Sequence, residues 1–359
     1  MIKNIIIGKN STITQYICRF LKNNCVLSAN ELREEHLKKE IKDCKKINLI
    51  FNNFYPSKNL NRLNTNDYKK FCELSLEKTS FVLAIIPSSK INKIIYTSSA
   101  SVYRISENLN NPNKDDFNRE LYSSYKLAAE KLIINFSNNN KKDYFIMRLF
   151  NIYGNSMDEF SFIENVINSK KYNRKINLIN NGNSIRDFIH VKDVAKIYKK
   201  FIEKKIKSGI YDLGTGNGYL IKDIIDFSNF SKLKIIKINN INEIHNSIAQ
   251  NKNLIKVLKN YKFLNLGKYL KQKLRISKKA IKPILNYTNE TRKSIINGVV
   301  VYGIGYAGKQ IYDELKKNNE DVLFFVDDNL KKQNTNYKGV PIISYRNLLN
   351  ITKNFKIKR

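Results

Sequence analysis

Residues 5–17 read IIIGKNSTITQYI. An apolar run, Ile5 to Ile7, meets one glycine, Gly8, and apolar residues then recur at Ile13, Ile17 and Leu21, a helical spacing. A strand, a glycine turn and a helix is how a dinucleotide site begins. The spacing that would hold three glycines holds Gly8, Ser11 and Thr14.

Outward from this stretch, apolar strand candidates alternate with helical patterns to about residue 230: NIIIG (4–8), CVLS (25–28), INLIF (47–51), KIIYTSS (93–99), YFIMRLF (144–150) and GIYDLG (209–214). Several are continuous apolar runs, as expected for parallel strands covered on both faces by helices. The order predicts an α/β fold with a doubly wound parallel sheet. From 276 to 297 the apolar pattern weakens around Pro283 and the polar run NYTNETRKS, which reads as a linker. A fresh strand–turn–helix starts at VVVYGIGYAGKQI (299–311), so a second unit is expected in 298–359.

The chain has 359 residues, 42% of them apolar, which is enough for two domains with cores of their own. No apolar run approaches the ~18 residues of a membrane helix, and no signal-peptide pattern opens the chain. The four cysteines (Cys18, Cys25, Cys44, Cys72) lack paired spacing, which suits reduced thiols in a cytoplasm. His36, His190 and His245 are scattered, so no metal site is expected. The net charge of +34 comes from 53 Lys and only 12 Arg, spread along the chain. Arg supplies the planar fork that grips phosphates and guanine edges. The charge therefore reads as a lysine-rich solvated surface, with no nucleic-acid partner expected. The densest stretch, GKYLKQKLRISKKAIK (267–282), reads as a basic linker.

The chemistry centres on LYSSYKLAAEKL (121–132). Tyr122 and Lys126 lie four apart, on one face of a helix. A phenol with a pKa near ~10 is a poor base at neutral pH, and an ammonium held beside it favours the phenolate. Chance alone produces about three such Tyr–Lys spacings in this composition, so context decides. Upstream, KIIYTSSASVY (93–103) ends a strand pattern in Ser99, and hydroxyls at the carboxyl ends of parallel strands sit where ligands bind. Downstream follow RLFNIYG (148–154), NGNSIRDFIHVKDVA (181–195) and IYDLGTGNG (210–218).

This ordered set resembles the extended short-chain dehydrogenase/reductase family, the nucleotide-sugar epimerases, dehydratases and reductases, over roughly residues 1–275. The resemblance implies a Rossmann cofactor part, mainly 1–150, and a smaller α/β substrate part, mainly 151–275. It implies that Tyr122 exchanges a proton with a sugar hydroxyl while hydride moves to or from a nicotinamide. Ser99 would bond the same oxygen, and Lys126 would hold the cofactor ribose and tune Tyr122. Gly8, Asn10, Ser11, Thr12 and Ile13 would line the cofactor pyrophosphate, with Phe150 near the nicotinamide. Asn151 and Arg186 would hold the substrate diphosphate. Serine at the middle glycine position keeps the backbone N–H groups and helix start within reach of pyrophosphate. Thr14 replaces the glycine of close helix–strand packing, so a slightly displaced first helix is expected, and Thr14→Gly is expected to tighten cofactor binding.

Sugar dehydratases of the family carry an acidic pair after the strand-end hydroxyl. Here those positions are Ala100 and Ser101, so dehydration is disfavoured. An epimerase in surface-polysaccharide sugar biosynthesis is the first expectation, an NADPH-dependent 4-keto-sugar reductase the second, and a non-catalytic nucleotide sensor the third. After CVLS stand Ser28, Ala29 and Asn30 in place of a ribose-binding acid, with Glu31 and Arg33 beyond. NAD and NADP both stay open, NAD preferred. A nucleotide-diphosphate sugar is the expected partner, a cytoplasmic homodimer the expected state.

In the tail, Gly303, Gly305 and Gly308 open a helix, and Asp327 ends the next strand. Residues 298–359 resemble the nucleotide-binding domain of membrane-anchored polysaccharide-biosynthesis dehydratases. That implies either a second nucleotide site or a truncated remnant, and the missing half of the Rossmann unit favours the remnant.

Overall fold

A computed structural model describes residues 2–54, 65–106, 117–154, 161–228, 235–238, 246–276, 281, 283–286, 294–333, 335–348 and 355–358. In chain order the first elements are β1 (Ile2–Ile7), α1 (Thr12–Cys18), β2 (Asn24–Leu27), α2 (Glu34–Ile41), β3 (Lys46–Phe51), α3 (Thr65–Cys72) and α4 (Lys78–Ile85). There follow β4 (Ile91–Ser99), α5 (Phe117–Asn139), β5 (Asp143–Leu149), β6 (Asn151–Tyr153), α6 (Phe162–Tyr172), β7 (Ile176–Ile179) and β8 (Ile185–His190). Next are α7 (Val191–Glu203), β9 (Gly209–Leu213), β10 (Asn217–Leu220), α8 (Ile221–Phe227), β11 (Ile235–Ile238), β12 (Asn246–Ser247), α9 (Lys252–Leu258) and α10 (Leu266–Leu274). The last are β13 (Leu285–Asn286), β14 (Ser294–Asn297), β15 (Val299–Tyr302), α11 (Tyr306–Lys317), β16 (Val322–Val326), β17 (Asn336–Tyr337), β18 (Val340–Ile343) and β19 (Phe355–Lys358).

Two compact units divide the chain. The first comprises 1–164, 189–214 and 251–264, the second 165–188, 215–250 and 265–359. In the first unit six strands form one parallel sheet, ordered β2-β1-β3-β4-β5-β9. These are the six apolar runs read from the sequence, and their continuity has the expected cause. Ile6, Ile50, Ile95, Phe145 and Met147 face α1, α7 and α9, packing on Tyr16, Ile17, Val194, Tyr198, Phe201 and Leu254. Their neighbours Ile5, Ile7, Leu49, Phe51, Ile94, Tyr96 and Ile146 face α2, α4 and α5, packing on Leu37, Ile41, Val82, Ala129 and Ile133. Both faces are buried, so period-two alternation vanishes.

The second unit carries smaller sheets: β12-β8-β10-β13, the pairs β7–β11 and β14–β19, and β15-β16-β18-β17. Its turns are organised by Asp187, fully buried, which accepts from Thr215 N and Oγ1, Gly216 N and Ala249 N at 2.7–3.2 Å. Part of the stretch read as linker is structured. Leu285–Asn286 pairs with Asn217–Gly218, and Ser294–Asn297 pairs with Phe355–Lys358. The dense basic stretch is likewise not a plain linker, because its first part is α10, which buries Gly267 and Leu270 while its lysines stay outside. Lysine stems shield such a face without entering it. Among the described residues no helix is long and apolar enough to cross a membrane.

Candidate active site

The turn after β1 admits only glycine. Gly8 has φ +116°, and a Cβ there would lie 2.7 Å from the carbonyl carbon and oxygen of Asn52. Gly8 N and Lys9 N both donate to the Leu27 carbonyl, at 2.9 and 3.2 Å, and Ser11 N donates to Gly8 O at 3.0 Å. Ser11 is the extended residue before α1, with no side-chain cap bond. Asn10 is exposed, and Thr12 and Ile13 are half-buried in the first turn. Gly8 thus supplies the tight turn with which a dinucleotide loop begins, and the small Ser11 stands where the backbone would approach a pyrophosphate. Thr14, in the place of the third glycine, is buried, and its Oγ1 accepts a bond from Asn52 Nδ2 at 2.9 Å.

Ser99 ends β4, and α5 carries Tyr122 close enough for the Ser99 hydroxyl to favour the phenolate. Lys126 follows one helical turn on, its Nζ 5.9 Å from the Tyr122 ring centre. The three residues therefore meet, but their proton balance differs from the expectation that Lys126 lowers the phenol. Burial pushes Tyr122 up to about 12, with the nearby Ser99 hydroxyl opposing it. Burial brings Lys126 down to about 7, and the charge of Glu130 opposes that. Lys126 is only 5% exposed, and its Nζ donates to the Thr97 carbonyl at 2.7 Å. Aromatic rings surround it: Phe54 at 4.1 Å and Tyr96 at 5.0 Å. Phe54 also stands edge-on to Tyr122, ring centres 4.9 Å apart.

Several of these partners escaped the sequence reading. Phe54, Asn52 and Thr97 belong to no short motif. Glu130 had a signal, since it stands four residues after Lys126 on the same helix face. It accepts from Ser98 Oγ and pairs with Arg148, whose Nε and Nη2 lie 3.1 and 2.7 Å from the two carboxylate oxygens. Arg148 also lies 4.6 Å over Tyr103, whose hydroxyl donates to Asp212.

Phe150 is buried beyond β5 and donates its N–H to the Leu213 carbonyl at 3.1 Å. Asn151 opens β6 in the first unit. Arg186 lies in the second unit on β8, opposite Tyr219 of β10. Ser28, where an acid would bind a ribose, is buried before a short turn at Ala29–Glu31.

In the tail, Gly303, Gly305 and Gly308 open α11 as the spacing predicts. Gly308 is obligatory, because a Cβ would fall 2.0 Å from Gly303 O, while Gly303 and Gly305 face open space. Asp327 accepts from Ile304 N and Asn329 N, both at 2.9 Å, so its carboxylate closes the loop. These bonds hold it below the usual carboxylate range.

Residues 6–214 match the NAD dependent epimerase/dehydratase family. An ADP-L-glycero-D-manno-heptose-6-epimerase of Brachyspira hyodysenteriae is 30% identical over 159 residues, 42% of this chain and 50% of that protein. A dTDP-D-glucose 4,6-dehydratase of Dictyostelium discoideum is 26% identical over 175 residues, 44% and 40% of the two chains. The chain thus spans half or less of these relatives' length. Among solved structures, a UDP-N-acetylglucosamine 4-epimerase of Methanobrevibacter ruminantium superposes with a TM-score of 0.59 at 20% identity, covering 76% of this chain and 96% of that one. The Thermus thermophilus UDP-glucose 4-epimerase, solved with NAD, gives 0.57 at 14% identity, covering 72% and 92%. At these identities the structures show the shared fold.

Proposed function

The chain belongs to the NAD dependent epimerase/dehydratase family, and from that premise we propose that it is a nucleotide-sugar epimerase working through Tyr122. The observation that carries this reading is the placement of Ser99 at the carboxyl end of β4 with Tyr122 and Lys126 one turn apart on α5, Lys126 Nζ 5.9 Å from the Tyr122 ring centre. Residues 100 and 101, an alanine and a serine, offer no carboxylate for proton removal at a neighbouring carbon, which speaks against dehydration.

When bound, the nicotinamide supplies or accepts a hydride. The chain's own residues handle the proton. Tyr122 Oη takes it from a sugar hydroxyl as that carbon is oxidised and returns it as the carbonyl is reduced. Ser99 Oγ holds the same oxygen. Lys126 would bind the cofactor ribose, the Gly8–Ile13 turn its pyrophosphate, and Phe150 would border the ring. Asn151, within the first unit, would contact the substrate diphosphate. NAD is the preferred dinucleotide, supported by the family description and by NAD in related structures. A place in surface-polysaccharide synthesis is supported only by the likeness of residues 298–359 to polysaccharide-biosynthesis dehydratases.

A keto-sugar reductase is the second reading, because it draws on the same Ser99, Tyr122 and Lys126 with the proton moving once, from the phenol to the carbonyl oxygen. Incubation with UDP-, GDP- and dTDP-sugars, with and without NADPH, separates the two. Interconversion without net cofactor use is the expected outcome, and stoichiometric NADPH oxidation on a 4-keto sugar would establish the reductase instead. Tyr122→Phe is expected to lose at least ~100-fold in turnover with dinucleotide binding retained; unchanged turnover would remove Tyr122 from its role.

A further inference from the structure

The place of the third loop glycine holds a threonine, and the fold turns that bulk into a bond. Thr14 is 1% exposed and its Oγ1 accepts from Asn52 Nδ2 at 2.9 Å. The same amide's Oδ1 accepts from Thr97 Oγ1. Thr97 Oγ1 has one hydrogen and gives it to Asn52, so the Tyr198 hydroxyl, 2.7 Å away, must donate to Thr97. The bonds therefore run in one direction, from Tyr198 on α7 through Thr97 on β4 and Asn52 beyond β3 to Thr14 on α1. Thr97 has a second duty, because its carbonyl accepts Lys126 Nζ at 2.7 Å.

Asn52 also touches the loop at its other end. Its backbone is the wall against which Gly8 has no room for a Cβ, and its N–H donates to the Ile7 carbonyl at 2.8 Å. The β3–β4 ladder stops at Phe51–Tyr96, one residue short of Thr97. On that side the Asn52 amide, in place of a further ladder pair, engages Thr97. Both halves of the amide are used, one bond from Nδ2 and one to Oδ1, which fixes its orientation.

We propose that Asn52 is a positioning residue, joined to Thr14 and Thr97, that couples the Gly8–Thr14 loop to Lys126 and takes over the task of the absent third glycine. The proposal rests on the reading that this loop and Lys126 hold a dinucleotide. It reverses the expectation for Thr14→Gly, because a glycine there leaves the half-buried Asn52 Nδ2 without its Thr14 acceptor, a loss set against the packing gained.

The test is dinucleotide affinity by titration calorimetry with NAD and NADP, alongside melting temperature, for Thr14→Val, Thr14→Ser and Thr14→Gly, each with and without Lys126→Met. Thr14→Val keeps the shape and loses the acceptor. It is expected to weaken binding about tenfold, a hydrogen bond's worth. Thr14→Ser is expected to stay within about twofold of the parent, and Thr14→Gly to bind no better than Thr14→Val. In the Lys126→Met background the Thr14→Val penalty is expected to shrink to less than half, which a merely structural defect would not do. If Thr14→Val fails to fold, Thr14→Ala serves the same comparison. Tighter binding by Thr14→Gly, an unweakened Thr14→Val, or a penalty undiminished by Lys126→Met would overturn the coupling. A parent protein that binds neither dinucleotide would overturn the loop reading itself, and the coupling with it.

Discussion

At the scale of single residues, Lys126 stands out because its charge is enclosed by rings and one carbonyl. Burial brings its pKa down to about 7, against roughly 10.4 in an unfolded chain. Between those values the unfolded chain holds a proton that the folded one has released, so stability rises with pH across the window. Below about 7 the buried ammonium imposes its full cost, and above ~10.4 none remains. Lys126→Met is therefore expected to stabilise the fold most at pH 6–7, the difference from the parent fading toward pH 10. Urea unfolding at several pH values reads this directly. A constant difference would mean that Lys126 stays charged in its box.

At the scale of elements, α5 carries both Tyr122 and Lys126, and its setting against the sheet decides where they point. Glu130, one turn beyond Lys126, clamps the helix to β5 through Arg148 and to β4 through Ser98. The carboxylate is 1% exposed, so losing its partner leaves a buried charge uncompensated. Arg148→Met is expected to cost ~3–5 kcal/mol in chemical denaturation, and Glu130→Gln added to it to recover much of that. Additive losses would show the two side chains acting separately. Helical spacing made the shared face of residues 122, 126 and 130 legible in the sequence. The partner on β5 was not, since nothing local links positions 130 and 148.

At the scale of the whole molecule, residues 298–359 belong to the second unit and pack within it. Leu323 joins Ile185, Leu220, Ile248 and Ile284 in one apolar cluster, the Gly339 carbonyl accepts from Asn183 Nδ2 at 2.7 Å, and Asp321 pairs with Lys222 at 3.2 Å. A chain ended after Asn297 is expected to expose that cluster, losing ~2–5 kcal/mol of packing per large side chain uncovered. Faster hydrogen exchange at 185–188 and 217–220, with increased binding of an apolar dye, would report it. Unchanged exchange would make the tail a mere appendage.

What the sequence by itself determined is the parallel sheet and the order of its motifs. A strand buried on both faces must be apolar throughout, and a glycine at φ +116° with backbone 2.7 Å away cannot be another residue. It also determined which residues share a helix face, because 3.6 residues per turn is a local property. Only the tertiary structure decided who meets whom across the sheet: Asn52 with Thr14 and Thr97, Glu130 with Arg148, and Phe54 with Lys126. It decided the proton balance of Tyr122 and Lys126 as well. The spacing of the pair predicts attraction between opposite charges, but burial disfavours both charged forms, and burial is a property of the packed chain.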